Sequence, residues 1–441
     1  MITLRINGTD FRGFTDISLI DRVNTLCNQM TVRCASEDGG FMFPIKRGST
    51  AEIDIDGTTV FTGKVEKSKG RAGQNSYEIS TEGRDKNSDI LKSQLRPDIN
   101  FKGPVSLKSI IEKTLKKMGI QRDVLDETGG IDDFTDKELA NEDVGKEIFD
   151  YWLTLAQKRN CLVSKNRDGA IVIIRPNQRK YTKKLYRRIS DTSGANNIIE
   201  SDWDFDDSER CHEYNVYSQT NRSAPSDLAA TSADSVIDDP NAETESPAES
   251  QNSDAQKIAI LNKMNTLDPS SEQFFVLQSQ LEALGGSFQG GSSGQSNFRS
   301  SRVATKGTAF DYGVPPGTVR HETADDPSDD DECERLAKWA CNRARAESVS
   351  YSCVVSDVLA DDEPWESGWL VDVIDEVADI DATLLIESVE FSSSKSENGS
   401  ASEDATLTFT VPDAYTDSDT ADESLIEINR IGTNWNEGDF R

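Results

Sequence analysis

The sequence is short of histidine, of positive charge and of long apolar runs, and each shortage excludes something. Only His212 and His321 occur in 441 residues. His321-Glu322 lacks the second histidine of a zinc-protease helix, and no cysteine stands near it at ligand spacing. Lys and Arg number 48 against 79 Asp and Glu, a net charge of −31. That excludes a nucleic-acid binder working through a broad basic surface, because phosphate contacts need clustered cations. No run approaches 18 apolar residues, so no helix spans a membrane. The start, Met1 to Phe14, lacks a basic segment followed by an apolar stretch, and a non-secreted product is expected. The seven cysteines (Cys27, Cys34, Cys161, Cys211, Cys333, Cys341 and Cys353) are odd in number and form no C-x-x-C pair. A disulfide framework and a paired-thiolate metal site are excluded, and reduced, mostly buried thiols are expected.

Hydrophobic residues reach only 35%, and the deficit is local. Residues 1–95 read as short strands. Ile2, Leu4 and Ile6 alternate with polar residues and stop at Asn7-Gly8. Ile53 and Ile55 alternate into Asp56-Gly57, with Val60 and Val65 on the return, and Tyr77 and Ile79 open another strand. Tight turns between short strands point to a small barrel or sandwich. Past Pro97 the period changes. Leu107, Ile110, Ile111, Thr114, Leu115 and Met118 share a helix face closed by Gly119. A second helix runs through Ile148, Trp152, Leu155 and Ala156. Cys161 to Val163 and Ala170 to Ile174, around Asp168-Gly169, form a hairpin, giving an α+β domain over 100–178.

Strand pattern returns at 196–219. Then Ser223 to Ala255 carries eight acids, no Lys or Arg and no aromatic residue. That stretch reads as a linker, since it cannot bury enough apolar surface to offset its ordering entropy. Two helical patterns follow, Ile258, Leu261 and Met264, then Phe274, Leu277, Leu281 and Leu284. The acidic run Asp325 to Glu332 leads into a helix through Leu336, Trp339, Ala340 and Arg343, and residues from Val349 to Val411 are strand-like.

The candidate chemistry fails motif by motif. Gly57 to Lys64 reads G-x5-G-K before Val65, whereas a phosphate cradle needs four residues between the glycines and Ser or Thr after the lysine. Asp202, Asp204, Asp206 and Glu213 mimic the acidic positions of a calcium loop, but Asp207 replaces its turn glycine, Arg210 sits among the ligand positions, and the flanks alternate like strands. No G-x-S-x-G elbow supports a hydrolase triad. Sequons at Asn7, Asn221 and Asn398 are idle without secretion. No catalytic, cofactor or metal residue is nominated.

Three stretches together resemble the baseplate hub of Mu-like contractile-tailed bacteriophages, within the wider family of late control D proteins and type VI secretion spike hubs. The first is residues 2–95, with Ile2 to Gly8, Asp54 to Gly57, Phe61 to Val65 and Glu82 to Asp85. The second is Gly145 to Pro176. The third is residues 196–219, resumed at Ala337-Lys338-Trp339, Asn342-Arg343, Arg345-Ala346, Trp365, Gly368, Leu370-Val371 and Pro412 to Tyr415. The resemblance covers about two-thirds of the chain; the long insertion and the tail after Tyr415 depart from it.

It implies a mainly β fold with α+β: a first β-barrel at 1–95, an α+β domain at 100–178, a second β-barrel from 185–220 with 345–415, an acidic Ser/Gly-rich insertion at 221–344 and a tail at 416–441. It further implies a non-enzymatic homotrimer in the virion tail, assembled in the host cytoplasm without membrane insertion. Six barrels would form a ring between a tail-tube protein or tube initiator above and a central spike protein below, with baseplate wedge proteins as possible neighbours. DNA would pass through without specific binding. The competing readings are a tail-tip cell-wall hydrolase, for which the insertion is too polar, and the hub of a secretion-spike protein, for which 26 residues after Tyr415 are too few. The apolar residues Leu425, Ile426, Ile428, Ile431 and Trp435 are expected to dock the tail on a neighbour.

Overall fold

The computed structural model describes residues 1–36, 45–72, 77–96, 99–136, 139, 145–175, 178–189, 196–219, 306–325, 330–395 and 401–417. The helical patterns between Ile258 and Leu284, the sequons at Asn221 and Asn398, residues 326–329 of the acidic run and the tail anchors from Leu425 to Trp435 lie outside the described residues. Up to Tyr217 and from Lys306 the chain forms one compact unit.

Chain order runs β1 (Ile2–Ile6), β2 (Thr9–Phe11), β3 (Asp16–Arg22), β4 (Gln29–Ser36), β5 (Thr50–Ile55), β6 (Thr58–Ala72), β7 (Tyr77–Asp85), α1 (Ser88–Leu91), α2 (Leu107–Met118), β8 (Val124–Asp126), α3 (Ile148–Gln157), β9 (Leu162–Lys165), β10 (Ile171–Ile174), β11 (Leu185–Arg187), β12 (Ile198–Phe205) and β13 (Glu213–Gln219). It resumes with β14 (Lys306–Phe310), β15 (Val319–Asp325), α4 (Asp330–Glu347), β16 (Val349–Val355), β17 (Leu359–Ala360), β18 (Glu363–Pro364), β19 (Leu370–Asp375), β20 (Ile380–Lys395) and β21 (Ala401–Thr410). The expected turns are present. Asn7-Gly8 and Asp56-Gly57 both hold positive φ at two successive residues, as two-residue hairpin turns require.

The predicted mainly β class with an α+β part holds, but neither expected barrel closes among the described residues. Both strand sets instead join one sheet, in the order β12-β16-β21-β20-β3-β4-β7-β6-β5-β1-β2, with β19 on β20 and β11 on β19. The reason lies in β20, a 16-residue strand too long for one partner. Its first six residues pair with β19, and the same edge further on pairs with β3, from Arg22↔Ser388 to Asp16↔Ser394. That seam uses the strand edge that barrel closure would need.

The two sets have the same internal order. In the first, β5, β6 and β7 form a meander, with β4 on β7 and β3 on β4. In the second, β19, β20 and β21 form the meander, with β16 on β21 and β12 on β16. Each long central strand has its β-bulge at the equivalent place, between Val65 and Lys67 and between Ile386 and Ser388. Bulges re-aim a strand and increase its twist, so the matched pair marks a structural repeat. A single core spans both sets, including Leu4, Leu19, Met30, Ile53, Tyr351, Val371, Leu407 and Phe409.

The α+β part is a three-stranded sheet, β8-β10-β9, covered by α2 and α3. Ser106 caps α2 by accepting from Ser109 N, and Gly119 closes it in the left-handed region. Strand β10 is buried on both faces. Ile171 and Ile173 meet the helices, while Val172 and Ile174 pack with Val23, Leu385 and Tyr415. A run of consecutive apolar residues is what a doubly covered strand requires. Helix α4 turns Ala337, Cys341 and Ala344 onto Tyr214, Val216 and Ala309 of the small sheet β14-β13-β15.

Candidate assembly surface

The structure disperses the residues that looked like chemistry. Gly57 turns a hairpin, and Gly63 and Lys64 lie inside β6. Asp202 and Asp204 stand on β12, whereas Glu213 belongs to another sheet on β13. His212 is structural: its Nδ1 lies 3.1 and 3.0 Å from the carbonyl oxygens of Asp311 and Val314. Among the described residues no three His, Cys, Asp or Glu side chains form a metal-holding group. None of the seven cysteines forms a disulfide. Burial pushes the Cys161 and Cys341 thiols up to about 12.

The buried polar groups are instead pins between parts of the fold, which no local motif announces. Lys165 at the end of β9 is 2% exposed; its Nζ donates to Asp21 Oδ1 at 2.8 Å and to the carbonyls of Arg22 and Thr25 at 3.0 and 3.2 Å. Asp21 Oδ2 accepts from Ser367 N at 2.9 Å. One ion pair thus ties the α+β part to β3 and to the segment before β19. Burial alone would raise Asp21; the Lys165 ammonium and hydrogen bonds from Lys165 and Ser367 outweigh it and hold the carboxyl below its usual range. A second pin is Asp311, fully buried, which accepts from Arg210 Nε at 2.9 Å and Nη2 at 3.0 Å and lies 3.2 Å from Arg345 Nε of α4. A third is Asp375, also fully buried, which takes Ser201 Oγ at 2.7 Å, Tyr351 Oη at 3.0 Å and two backbone amides. Each buried carboxylate is fully served, the condition under which burial of charge is tolerated.

Charge is distributed with equal order. Residues 1–177 are balanced, 27 Lys and Arg against 27 acids. Residues 178–189 hold six Lys and Arg and no acid, and residues 190–441 hold 15 against 52. The basic segment lies as a strap on the acidic half: Lys180 and Lys184 pair with Asp372, and Lys183 pairs with Asp357. Burial would raise Asp372, but hydrogen bonds from Lys180, Thr383 and Lys184 dominate and lower it to about 2.

Several strands, among them β2, β8, β9, β11, β14 and β15, have one open edge among the described residues, and so do two longer strands of the large sheet. Strand β12 pairs with β16 on one side only, and β6 beyond Lys64 pairs with β7 only. On β12, Glu200, Asp202 and Asp204 are exposed, and the large ring of Trp203 is 41% exposed. On β6, Lys67, Lys69 and Arg71 are exposed at every second position. Such edges invite pairing with another chain.

Two tail proteins of known structure share this fold. The 43 kDa tail protein of prophage MuSo2 from Shewanella oneidensis is 19% identical; the match covers 94% of this chain and 99% of that protein, with a TM-score of 0.66. The tail protein from Neisseria meningitidis MC58 is 15% identical; the match covers 94% and 98%, with a TM-score of 0.63. At these identities the likeness establishes fold alone. No curated protein matches the chain significantly. The match at family level lies in the first strand set, β1 to β7: residues 1–85 match the family model of the Mu phage baseplate assembly protein GpP-like N-terminal domain.

Proposed function

We propose that the chain is the baseplate hub of a contractile phage tail, a non-enzymatic homotrimer that joins a six-fold tube to a three-fold spike in the virion and lets DNA pass. The observation that carries this reading is the structural repeat on one chain. Three copies of a chain with two equivalent strand sets supply six equivalent sets, which is how a trimer meets a six-fold partner. The GpP-like N-terminal domain supports placement in the baseplate. In this reading 1–95 and 185–220 with 345–415 are the two hub domains, 100–178 lies between them in sequence, 221–344 is an insertion and 416–441 is a tail. Tube, spike and wedge proteins are its neighbours. The mass of the purified full chain in solution tests the reading: a trimer is expected, and a monomer at every concentration would reject it. Clearing of a peptidoglycan zymogram by the pure chain, abolished by one carboxylate substitution, would favour the hydrolase instead.

A further inference from the structure

The seam inside the chain specifies a second seam between chains. Strands β3 and β12 hold equivalent places in the two sets, and so do β6 and β20. The registers align them residue by residue. Lys67 faces Glu82 as Ser388 faces Thr408, and Thr31 faces Glu82 as Ser352 faces Thr408. Ser18 faces Thr31 as Asp202 faces Ser352. Lys67 therefore corresponds to Ser388, and Asp202 to Ser18. Within the chain β3 is seated on β20, with Ser18↔Ser392, Leu19↔Phe391 and Ile20↔Glu390. The equivalent seat for β12 is the open edge of β6, with Asp202 opposite Arg71, Trp203 opposite Gly70 and Asp204 opposite Lys69. Both of those edges lack a neighbouring strand among the described residues.

We propose that the β12 edge of one copy adds as a strand to the β6 edge of the next copy, in that register. This rests on the trimeric reading above and names its interface. Three observations on the two edges converge. Acid meets base at both outward positions, although the register was set by the repeat and not by charge. The inward ring of Trp203, large and 41% exposed, meets Gly70, which has no side chain to obstruct it. Main-chain donors and acceptors are open on both edges, so the pairing supplies affinity while the alternate side chains supply register. The contact joins different patches on the two copies, a heterologous interface that closes only as a ring.

The test uses the full-length chain and sedimentation or native mass. Lys69→Glu with Arg71→Glu places four acids face to face, and Asp202→Lys with Asp204→Lys places four bases; each pair of changes should weaken association about 100-fold or more. The four changes together restore opposite charges at both positions and should restore the trimer. That rescue separates an interface from a folding defect. A wild-type trimer insensitive to both reversals overturns this seam and leaves the hub reading standing, as does failure of the four-fold swap to restore it. A monomeric wild-type chain overturns both.

Discussion

Lys165→Met removes the cation that ties three parts of the molecule together at one point. The methionine matches the length of the aliphatic stem, so lost packing is small and the change reads chiefly the charge. What remains is a carboxylate, Asp21, 13% exposed and served only by Ser367, whose N lies 2.9 Å away, with the carbonyls of Arg22 and Thr25 stripped of their donor. Breaking a buried pair by removing one partner costs about 3–5 kcal/mol, a fifth or more of the roughly 5–15 kcal/mol that holds a domain together. At about 2–4 °C per kcal/mol the melting temperature should fall by roughly 6–20 °C, toward the lower end in so large a unit. The pH dependence has a definite sign. Asp21 is held below its usual range in the fold, so its contribution is present above the ordinary carboxylate pKa of about 3.9 and is lost as pH falls through the depressed value. The gap between wild type and Lys165→Met should therefore be full at pH 7 and narrow at acid pH. Adding Asp21→Asn should recover part of the loss, because an amide tolerates the site without a counter-ion. Urea unfolding at pH 7 and pH 3 for the four proteins of this cycle measures every term. A loss under about 1 kcal/mol at pH 7, or no coupling between the two changes, would refute the reasoning.

Burial should separate two other carboxylates in the same denaturation assay: Asp311→Ala leaves Arg210 with Asp207 alone and takes the carboxylate from Arg345, and should cost about 3–5 kcal/mol, whereas Asp372→Asn, on β19 facing the half-exposed Lys180 and Lys184 of the strap, should cost under about 1 kcal/mol. Gly307→Ala would place a Cβ 2.0 Å from the Cys333 carbonyl carbon and 2.1 Å from Glu334 N, so α4 must shift; a loss of about 1–3 kcal/mol or more is expected, and an unchanged melting curve would contradict the close approach. At pH 8 an aqueous disulfide reagent should leave Cys161 and Cys341 untouched in the native protein, because both titrate near 12, and should reach them on unfolding; fast native labelling of either would show that the core opens there. Duplex DNA should not be retained even at low ionic strength, given 31 surplus acids; a gel shift that vanishes with added salt would reveal a basic patch.

Much of the fold was legible, because local physics sets it locally. The periodicity from Leu107 to Met118 with Gly119 after it gives helix α2 and its cap. The apolar run from Ala170 to Ile174 gives a strand buried on both faces. Other parts had no local signature. Residues 306–325 sit among acidic and Ser/Gly-rich sequence, yet they contribute β14 and β15 to a sheet with β13 because their partners lie about 90 residues away in sequence. Lys165 reads as the polar end of a hairpin strand, and only its distant partner Asp21, 144 positions earlier, makes it a pin. Barrel closure failed as an expectation for the same kind of reason: β20 looks like an ordinary strand until β3 is found on its free edge.

The repeat was hidden because equivalent positions share environment and not residue type. Met30 and Tyr351 occupy one such position, Val32 and Cys353 another, Val65 and Ile386 a third; all are buried while the side chains differ. The outward positions of the two seams differ in a more telling way. Inside the chain the β3–β20 seam places Ser18 against Ser392 and Ile20 against Glu390, and needs no charge code, since one polypeptide carries both edges in every folded copy. The edges of β12 and β6 are exposed before any partner arrives, and an uncharged edge there would pair with whatever strand it met. Opposite charges on the two edges repel a second copy of the same edge and attract the complementary one, which is how exposed strands are commonly protected from indiscriminate pairing. In the proposed seam, Asp202 and Asp204 on one edge, with Lys69 and Arg71 on the other, are thus the residues that a repeat needs only where its next unit is a separate molecule.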